Sequence, residues 1–255
     1  MGLKLNLIIP CFNEEKRLDI KRISLFIKNH KDIDVCFVND GSKDKTVSIL
    51  NEFKKRMPKR VQVIDKMKNE GKAEAIRSGA LHLSKQKKYS IIGYTDADLA
   101  VPLEDMADMK AVFDKKKNLL FLMGSRVRLM GYEIHRKFWR HYIGRIFATC
   151  ASILLGVAIY DTQCGAKIFK SQLVHALFDK KLRTSWIFDV EILERLMYWL
   201  TERKKIKRNN IENYINEMPL KHWEEVGGSK VKPKHYFYSF FDFLVLLYVK
   251  IFKAY

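Results

Sequence analysis

Residues 91–100 read IIGYTDADLA: a short apolar run passes without a break into two aspartates separated by one alanine. The run has the character of a strand, so Asp96 and Asp98 stand where a strand ends. In an open parallel sheet, ligands bind outside the carboxyl ends of the strands, where loops from several strands converge. The stretch therefore makes the fold depend on whether other strands of the chain end in the same way.

Two others do. Leu5–Pro10 leads into Cys11-Phe12-Asn13-Glu14, and Val35–Asp40 closes on Asn39-Asp40-Gly41-Ser42. Together with Val61–Asp65, Ser90–Tyr94 and Leu119–Gly124, these runs alternate with segments whose apolar residues recur at helical spacing, such as Ile20, Ile23, Ile27 and Val47, Leu50, Phe53. The alternation predicts an α/β domain, with parallel strands joined by right-handed crossovers into a doubly wound sheet.

The first strand carries neither G-x-G-x-x-G nor G-x-x-x-x-G-K-[ST], which argues against a dinucleotide dehydrogenase and a P-loop enzyme. Phosphates must then be held by other means. Two carboxylates one residue apart repel a diphosphate, but a hard divalent cation bound through them bridges to its oxygens and keeps positions open for water and substrate. Asp96 and Asp98 thus read as a Mg²⁺ or Mn²⁺ site for a nucleotide diphosphate. Alone, a D-x-D triplet is usually a solvated turn, and so is Asn39-Asp40-Gly41. Three acidic signals at strand ends, in chain order, carry the reading.

In that order and at that spacing, IPCFNEE (9–15), VNDGSKDKT (38–46), NEGKAEAIRSGA (69–80) and TDADL (95–99) resemble the family-2 glycosyltransferases of GT-A fold. GSRV (124–127), YDTQCGAKIFK (160–170), WIFDVEIL (186–193) and GGSKV (227–231) look like the branch that makes polyprenyl-phosphate sugars, and within it most like the dolichyl-phosphate β-glucosyltransferases. The resemblance implies a GT-A, Rossmann-like, mostly parallel sheet with flanking helices over residues 1–234. The nucleotide-sugar half would cover about 1–125 and the acceptor half about 126–234, followed by a C-terminal membrane-interface helix over 235–255. It further implies that Pro10, Phe12, Glu14 and Asp40 line a nucleoside pocket with Asn69 and Lys72 nearby, and that Lys230 lies in a loop closing over the donor. By the same resemblance Arg126 and Arg140 match arginines that meet the acceptor phosphate, and Asp98 would be the metal-holding catalytic residue. Asp189 is a candidate for a direct catalytic role, or else a cap, with Glu191, of a helix beginning near Val190. Two positions depart from the mannose synthases: a metal-assisting Gln is Ala100 here, and an acceptor-site Ser is Gly144.

The chain has 255 residues and a formal charge of +19, which calls for an anionic partner: nucleic acid, an acidic membrane surface or a phosphorylated substrate. Residues 136–159 repeat basic residues every four positions (Arg136, Arg140; Lys137, His141, Arg145) with Phe138, Tyr142, Ile146 and Ile153 elsewhere, as in a basic amphipathic helix at an anionic interface. Residues 236–252, YFYSFFDFLVLLYVKIF, are almost wholly apolar, with Ser239, Asp242 and Lys250 as a narrow polar strip. They predict a helix lying in a membrane interface in preference to a span. Cys11, Cys36, Cys150 and Cys164 lack zinc-site spacing and predict free thiols in a reducing compartment. The short apolar run at the N-terminus lacks a cleavage site and predicts that the domain begins at once.

These readings converge on an inverting transfer of a hexose, glucose favoured, from a nucleotide diphosphate sugar to a polyprenyl (dolichyl or undecaprenyl) phosphate. The donor is expected to be UDP-glucose, with GDP-mannose the other choice. The place is the cytoplasmic face of a membrane, with peripheral or monotopic attachment. A phosphate monoester with a second pKa of about 6 is largely dianionic at neutral pH and needs no general base. Two alternatives stand beside this: transfer to a glycan or glycolipid hydroxyl, with Asp189 as base, and a basic nucleic-acid-binding protein. No recognised RNA or DNA module accompanies the charge, so no nucleic-acid partner is expected.

Overall fold

The computed structural model describes residues 2–127, 133–135, 138–224 and 233–252. In chain order the elements are β1 (Leu5–Cys11), α1 (Ile20–Asn29), β2 (Ile33–Asp40), α2 (Thr46–Arg56), β3 (Val61–Lys66), α3 (Lys72–Ser84), β4 (Ile91–Tyr94), α4 (Leu103–Lys115), β5 (Phe121–Ser125) and β6 (Glu133–His135). There follow α5 (Phe138–Leu155), β7 (Lys167–Lys170), α6 (Val174–Phe178), α7 (Phe188–Tyr198), β8 (Ile215–Pro219), β9 (His222–Glu224) and α8 (Pro233–Phe252). Each of the five strands expected from the sequence is present, with ends shifted by one or two residues.

Seven strands form one sheet in the order β3-β2-β1-β4-β7-β5-β8. β1 pairs in parallel with β2, from Leu5↔Ile33 to Cys11↔Asn39, and with β4, from Leu5↔Ile91 to Ile8↔Tyr94. Strands buried on both faces read as continuous apolar runs, and every residue of β2 is buried. β7 alone in this sheet runs antiparallel, to both β4 and β5. Its reversal brings the segment that precedes it, Tyr160–Ala166, to the edge where β1, β2, β4 and β5 end. β6 and β9 form a separate parallel pair.

Each face of the sheet has its own core. On one side Ile23 and Phe26 of α1, Leu50 and Phe53 of α2, and Met106 and Phe113 of α4 cover Leu7, Ile9 and Phe37. On the other, Ile76 and Leu83 of α3, Leu154 of α5, Leu177 of α6 and Leu193 of α7 cover Ile8, Val38 and Ile92. Leu246 of α8 belongs to this second core, while Phe241, Tyr248, Ile251 and Phe252 of the same helix are exposed. Among the described residues no helix is long and apolar enough to cross a membrane.

Candidate functional site

The loops after β1 and β2 are bolted to each other. Backbone N–H groups of Asn13 and Glu14 donate to Ser42 Oγ at 3.0 Å and Thr46 Oγ1 at 2.8 Å, and Lys43 N donates back to Asn13 Oδ1 at 2.9 Å. Asp40, at the last position of β2, accepts from Gly71 N at 2.7 Å, Glu70 N at 3.1 Å and Lys66 Nζ at 2.8 Å. Its carboxylate thereby fixes the turn that carries Asn69 and opens α3. Gly41 takes φ +69°, and a Cβ there would lie 2.5 Å from the Lys68 carbonyl carbon, so the close passage of the two loops requires glycine. Burial disfavours the charge on Lys66, but its bonds to Asp40 and Glu70 outweigh that and raise its pKa.

Asp96 and Asp98 flank the buried Ala97 in a turn just beyond β4. Leu99 takes φ +52° there, a conformation that a leucine rarely adopts and that costs of order 1–3 kcal/mol unless its surroundings impose it. Lys72 Nζ meets Asp96 Oδ1 at 2.5 Å, and Arg17 lies 3.7 Å from Asp98 while its guanidinium forks onto Glu14 at 2.6 and 2.7 Å. Burial raises the pKa of Asp98, and the neighbouring Asp96 charge adds to the rise. Lys72 loses some charge stability to burial, but Asp96 and then Asp189 more than restore it and raise its pKa. A Cβ on Gly165 would come within 2.4 Å of Asp96 Oδ2, so the missing side chain leaves that carboxylate its place.

Two neighbouring carboxylates are the donor chemistry that a hard divalent cation takes. Among the described residues no group of three or more His, Cys, Asp or Glu side chains could hold one. A cation here would therefore take two carboxylates and fill its remaining positions with phosphate oxygens and water, as Mg²⁺ and Mn²⁺ do.

Arg126, just beyond β5, forks onto Asp161 with Nε at 2.7 Å and Nη2 at 2.8 Å, and its backbone N donates to the same carboxylate at 3.1 Å. Burial opposes its charge and Asp161 restores it, so its pKa lies above the ordinary arginine value. Glu217 of β8 holds the Asp161 segment from behind, accepting from Tyr160 N at 2.7 Å and Asp161 N at 2.9 Å. The Arg126 guanidinium stacks over Trp223 at 5.4 Å, and that of Arg145 over Tyr160 at 4.2 Å. Arg140 belongs to α5, but its side chain lies outside the described residues, as does the whole of Lys230.

Asp189 is buried in the first turn of α7, and Oδ1 accepts from Tyr94 Oη at 2.5 Å and pairs with Lys167 Nζ at 2.7 Å. It does not cap the helix, which begins at Phe188, two residues before Val190: Ile187 occupies the cap position without a side-chain bond. Glu191 does not cap it either, because Oε2 turns back to the Arg183 and Thr184 backbone at 2.8 and 2.9 Å. Lys167 for Asp189 and Arg195 for Glu191, each at 2.7 Å, together with these donors engage the carboxylates more strongly than the free helix N–H groups do.

All of this opens into one cleft of about 980 Å³. Pro10, Phe12, Glu14, Asp40, Asn69 and Lys72 line one end, and Asp96, Asp98, Arg126 and Asp189 also face it. The site residues expected from the sequence are thus brought together, apart from Lys230 and the Arg140 side chain. The rest of the wall was not expected. Arg145, Ile146 and Phe147 of α5 and Phe240, Phe243 and Leu244 of α8 also line the cleft, so it runs from charged strand ends to apolar helices. Arg17, Lys167 and Glu217 were missed because single charged residues give no periodic signal. Lys167 alone stood out in principle, as a lysine heading an apolar run.

A profile described as "Glycosyl transferase family 2" matches residues 6–178. The chain is 30% identical over 241 residues to a dolichyl-phosphate β-glucosyltransferase of Trichomonas vaginalis, covering 89% of this chain and 68% of that protein. It is 30% identical over 244 residues to the human dolichyl-phosphate β-glucosyltransferase, covering 90% of this chain and 70% of the relative. It thus spans about two thirds of the length of these relatives. Glucosyl-3-phosphoglycerate synthase of Mycobacterium tuberculosis, solved with Mn²⁺, UDP and glucosyl-3-phosphoglycerate, superposes with a TM-score of 0.58 at 15% identity. That match covers 89% of this chain and 74% of the synthase, and it shows a shared fold.

Proposed function

Because this chain belongs to glycosyl transferase family 2, we infer that it moves a hexose, glucose in the first instance, from a nucleotide diphosphate sugar to a polyprenyl phosphate of the dolichyl type. That it is a glycosyltransferase follows from the family. The acceptor reading is carried by one observation: the cleft that begins among strand-end carboxylates continues, past Arg126, between apolar residues of α5 and α8. A lipid phosphate has this pattern of one anionic head on an apolar chain.

The roles follow from position. Pro10, Phe12 and Asn69 bound the nucleoside end, and Asp40 holds the Asn69 turn in place. Asp96 and Asp98 hold Mg²⁺ or Mn²⁺, which when bound supplies positive charge to the departing diphosphate. Lys72 stands beside Asp96 as a second cation at that end. Arg126, held by Asp161 and stacked on Trp223, presents charge to the acceptor phosphate, with Arg140 as a further expected contact there and Lys230 expected over the donor. Orientation and charge then supply catalysis, because the dianionic phosphate attacks without a base. A hydroxyl acceptor would need a base, and Asp189 already has one oxygen occupied by the Tyr94 hydroxyl and the Lys167 ammonium. This favours the phosphate.

Attachment to an anionic membrane surface is supported by the +19 charge and by the exposed apolar residues of α8, Phe241, Tyr248, Ile251 and Phe252. The cytoplasmic face is proposed because all four cysteines are free, as suits a reducing compartment. The test is a screen of UDP-glucose, UDP-galactose, UDP-N-acetylglucosamine and GDP-mannose against short polyprenyl phosphates with Mg²⁺ or Mn²⁺. UDP-glucose is expected to give the lipid-linked product.

A further inference from the structure

The floor of the cleft holds a buried cation that the transfer chemistry above does not use. Tyr94 and Lys167 are directly opposed in the β4–β7 ladder, and both are 0% exposed. The Lys167 ammonium donates to the Cys164 carbonyl at 2.5 Å and meets Asp189 Oδ1 at 2.7 Å, and the Tyr94 hydroxyl donates to the same Oδ1 at 2.5 Å. A lysine so deep is costly unless it is paired and hydrogen-bonded, and here it is both.

The carboxylate is used unequally. Oδ1 takes both donors, while Oδ2 takes no hydrogen bond among the described residues, and Asp189 lines the cleft. The other charged groups nearby include Lys72 of α3, whose charge both Asp96 and Asp189 favour, Asp96 beyond β4, and Glu217 of β8, which feels the Lys167 charge. A carboxylate gripped through one oxygen presents the other as a fixed acceptor. A hexose supplies hydroxyl donors of the matching kind.

We propose that Lys167 and Tyr94 are positioning residues that hold Asp189 so that Oδ2 accepts hydroxyl groups of the transferred hexose. The proposal rests on the nucleotide-sugar reading above and deepens it, since it assigns sugar recognition to Asp189 and orientation of Asp189 to two residues beneath it. It also accounts for a lysine at the head of the apolar run AKIF.

The test is calorimetry of the full chain with UDP and with UDP-glucose, both with Mn²⁺ and without acceptor. Removing Lys167 altogether would strand a buried carboxylate and endanger folding, so Tyr94→Phe and Lys167→Arg carry the test beside Asp189→Asn. UDP affinity is expected to stay within about twofold in all three. The ratio of UDP-glucose to UDP affinity should fall about ten- to a hundredfold in Asp189→Asn and about tenfold in Tyr94→Phe, as for loss of hydrogen bonds to a charged group. Lys167→Arg, which keeps the charge, should fall less than Tyr94→Phe, and Tyr94→Phe added to Asp189→Asn should change little more. Equal loss of UDP and UDP-glucose in Tyr94→Phe, or an unchanged ratio in Asp189→Asn, would overturn the proposal. A wild type that binds neither ligand would overturn the donor reading itself.

Discussion

Asp242 of α8 accepts a hydrogen bond from the backbone N–H of Trp186 at 2.9 Å, and a second, at 3.3 Å, comes from Ile187. It is the only acidic residue of α8, and it faces the catalytic domain. Lys250 also turns inward and donates to the Leu154 carbonyl, and Ser239 lines the cleft. The narrow polar strip read from the sequence therefore docks on the protein together with Leu246 and Val249, and Phe241, Tyr248, Ile251 and Phe252 stay exposed.

Asp242→Ala should thus act at the acceptor side of the site. It strands two backbone donors beside the segment Ser185–Phe188, which lines the cleft, at a cost of about 1–3 kcal/mol. The expected outcome is a lower melting temperature and a raised requirement for polyprenyl phosphate, with UDP affinity unchanged. Deleting residues after Lys234 should abolish lipid turnover as well as membrane binding, because it removes Phe240, Phe243 and Leu244 from the wall.

Gly165→Ala tests the place of Asp96. The added Cβ would lie 2.4 Å from Oδ2, which forces the carboxylate aside. The variant should fold, and Mn²⁺-dependent UDP binding by calorimetry should weaken by at least tenfold. Binding within twofold of the wild type would remove Asp96 from the cation site.

The parallel half of the sheet was legible because β1, β2 and β4 are buried on both faces and are dominated by apolar residues, interrupted in β1 only by Asn6 and in β2 by none between Asp34 and Asn39. β7 and β8 were not. KIFK is four residues bounded by lysines, and INEMP is a partly exposed edge strand ending in proline, so neither shows alternation or a long apolar run. The site was legible wherever motif residues stood at strand ends. It was not legible where a contact joins distant segments, as Arg126 joins Asp161 or Lys167 joins Asp189, since nothing in the local pattern encodes the partner.

Arg126→Lys should separate acceptor from donor. Lysine keeps a charge beside Asp161 but lacks the planar fork, so the protein should stay folded. The apparent requirement for polyprenyl phosphate is expected to rise about tenfold, with that for the nucleotide sugar changed less than twofold. Steady-state kinetics with each substrate varied in turn checks this. The reverse pattern would assign Arg126 to the diphosphate.

The exposed face of α8 is expected to seat in lipid. Replacing Phe241, Tyr248 and Ile251 together by serine leaves the docking strip intact and removes three exposed apolar side chains, each worth on the order of 1.5–3 kcal/mol when fully buried. Flotation with anionic vesicles should fall by well over tenfold at unchanged melting temperature. Undiminished flotation would place the membrane contact elsewhere.

The most direct measurement of the central claim incubates the full chain with UDP-glucose labelled in the sugar, a short polyprenyl phosphate and Mn²⁺, and follows label into the organic phase. The expected product is a mild-acid-labile polyprenyl-phosphate glucose that forms in proportion to enzyme, disappears with chelator and is absent with Asp98→Ala. Label that stays in water in this assay, but passes to a glycan or glycolipid hydroxyl when one is supplied, would contradict it.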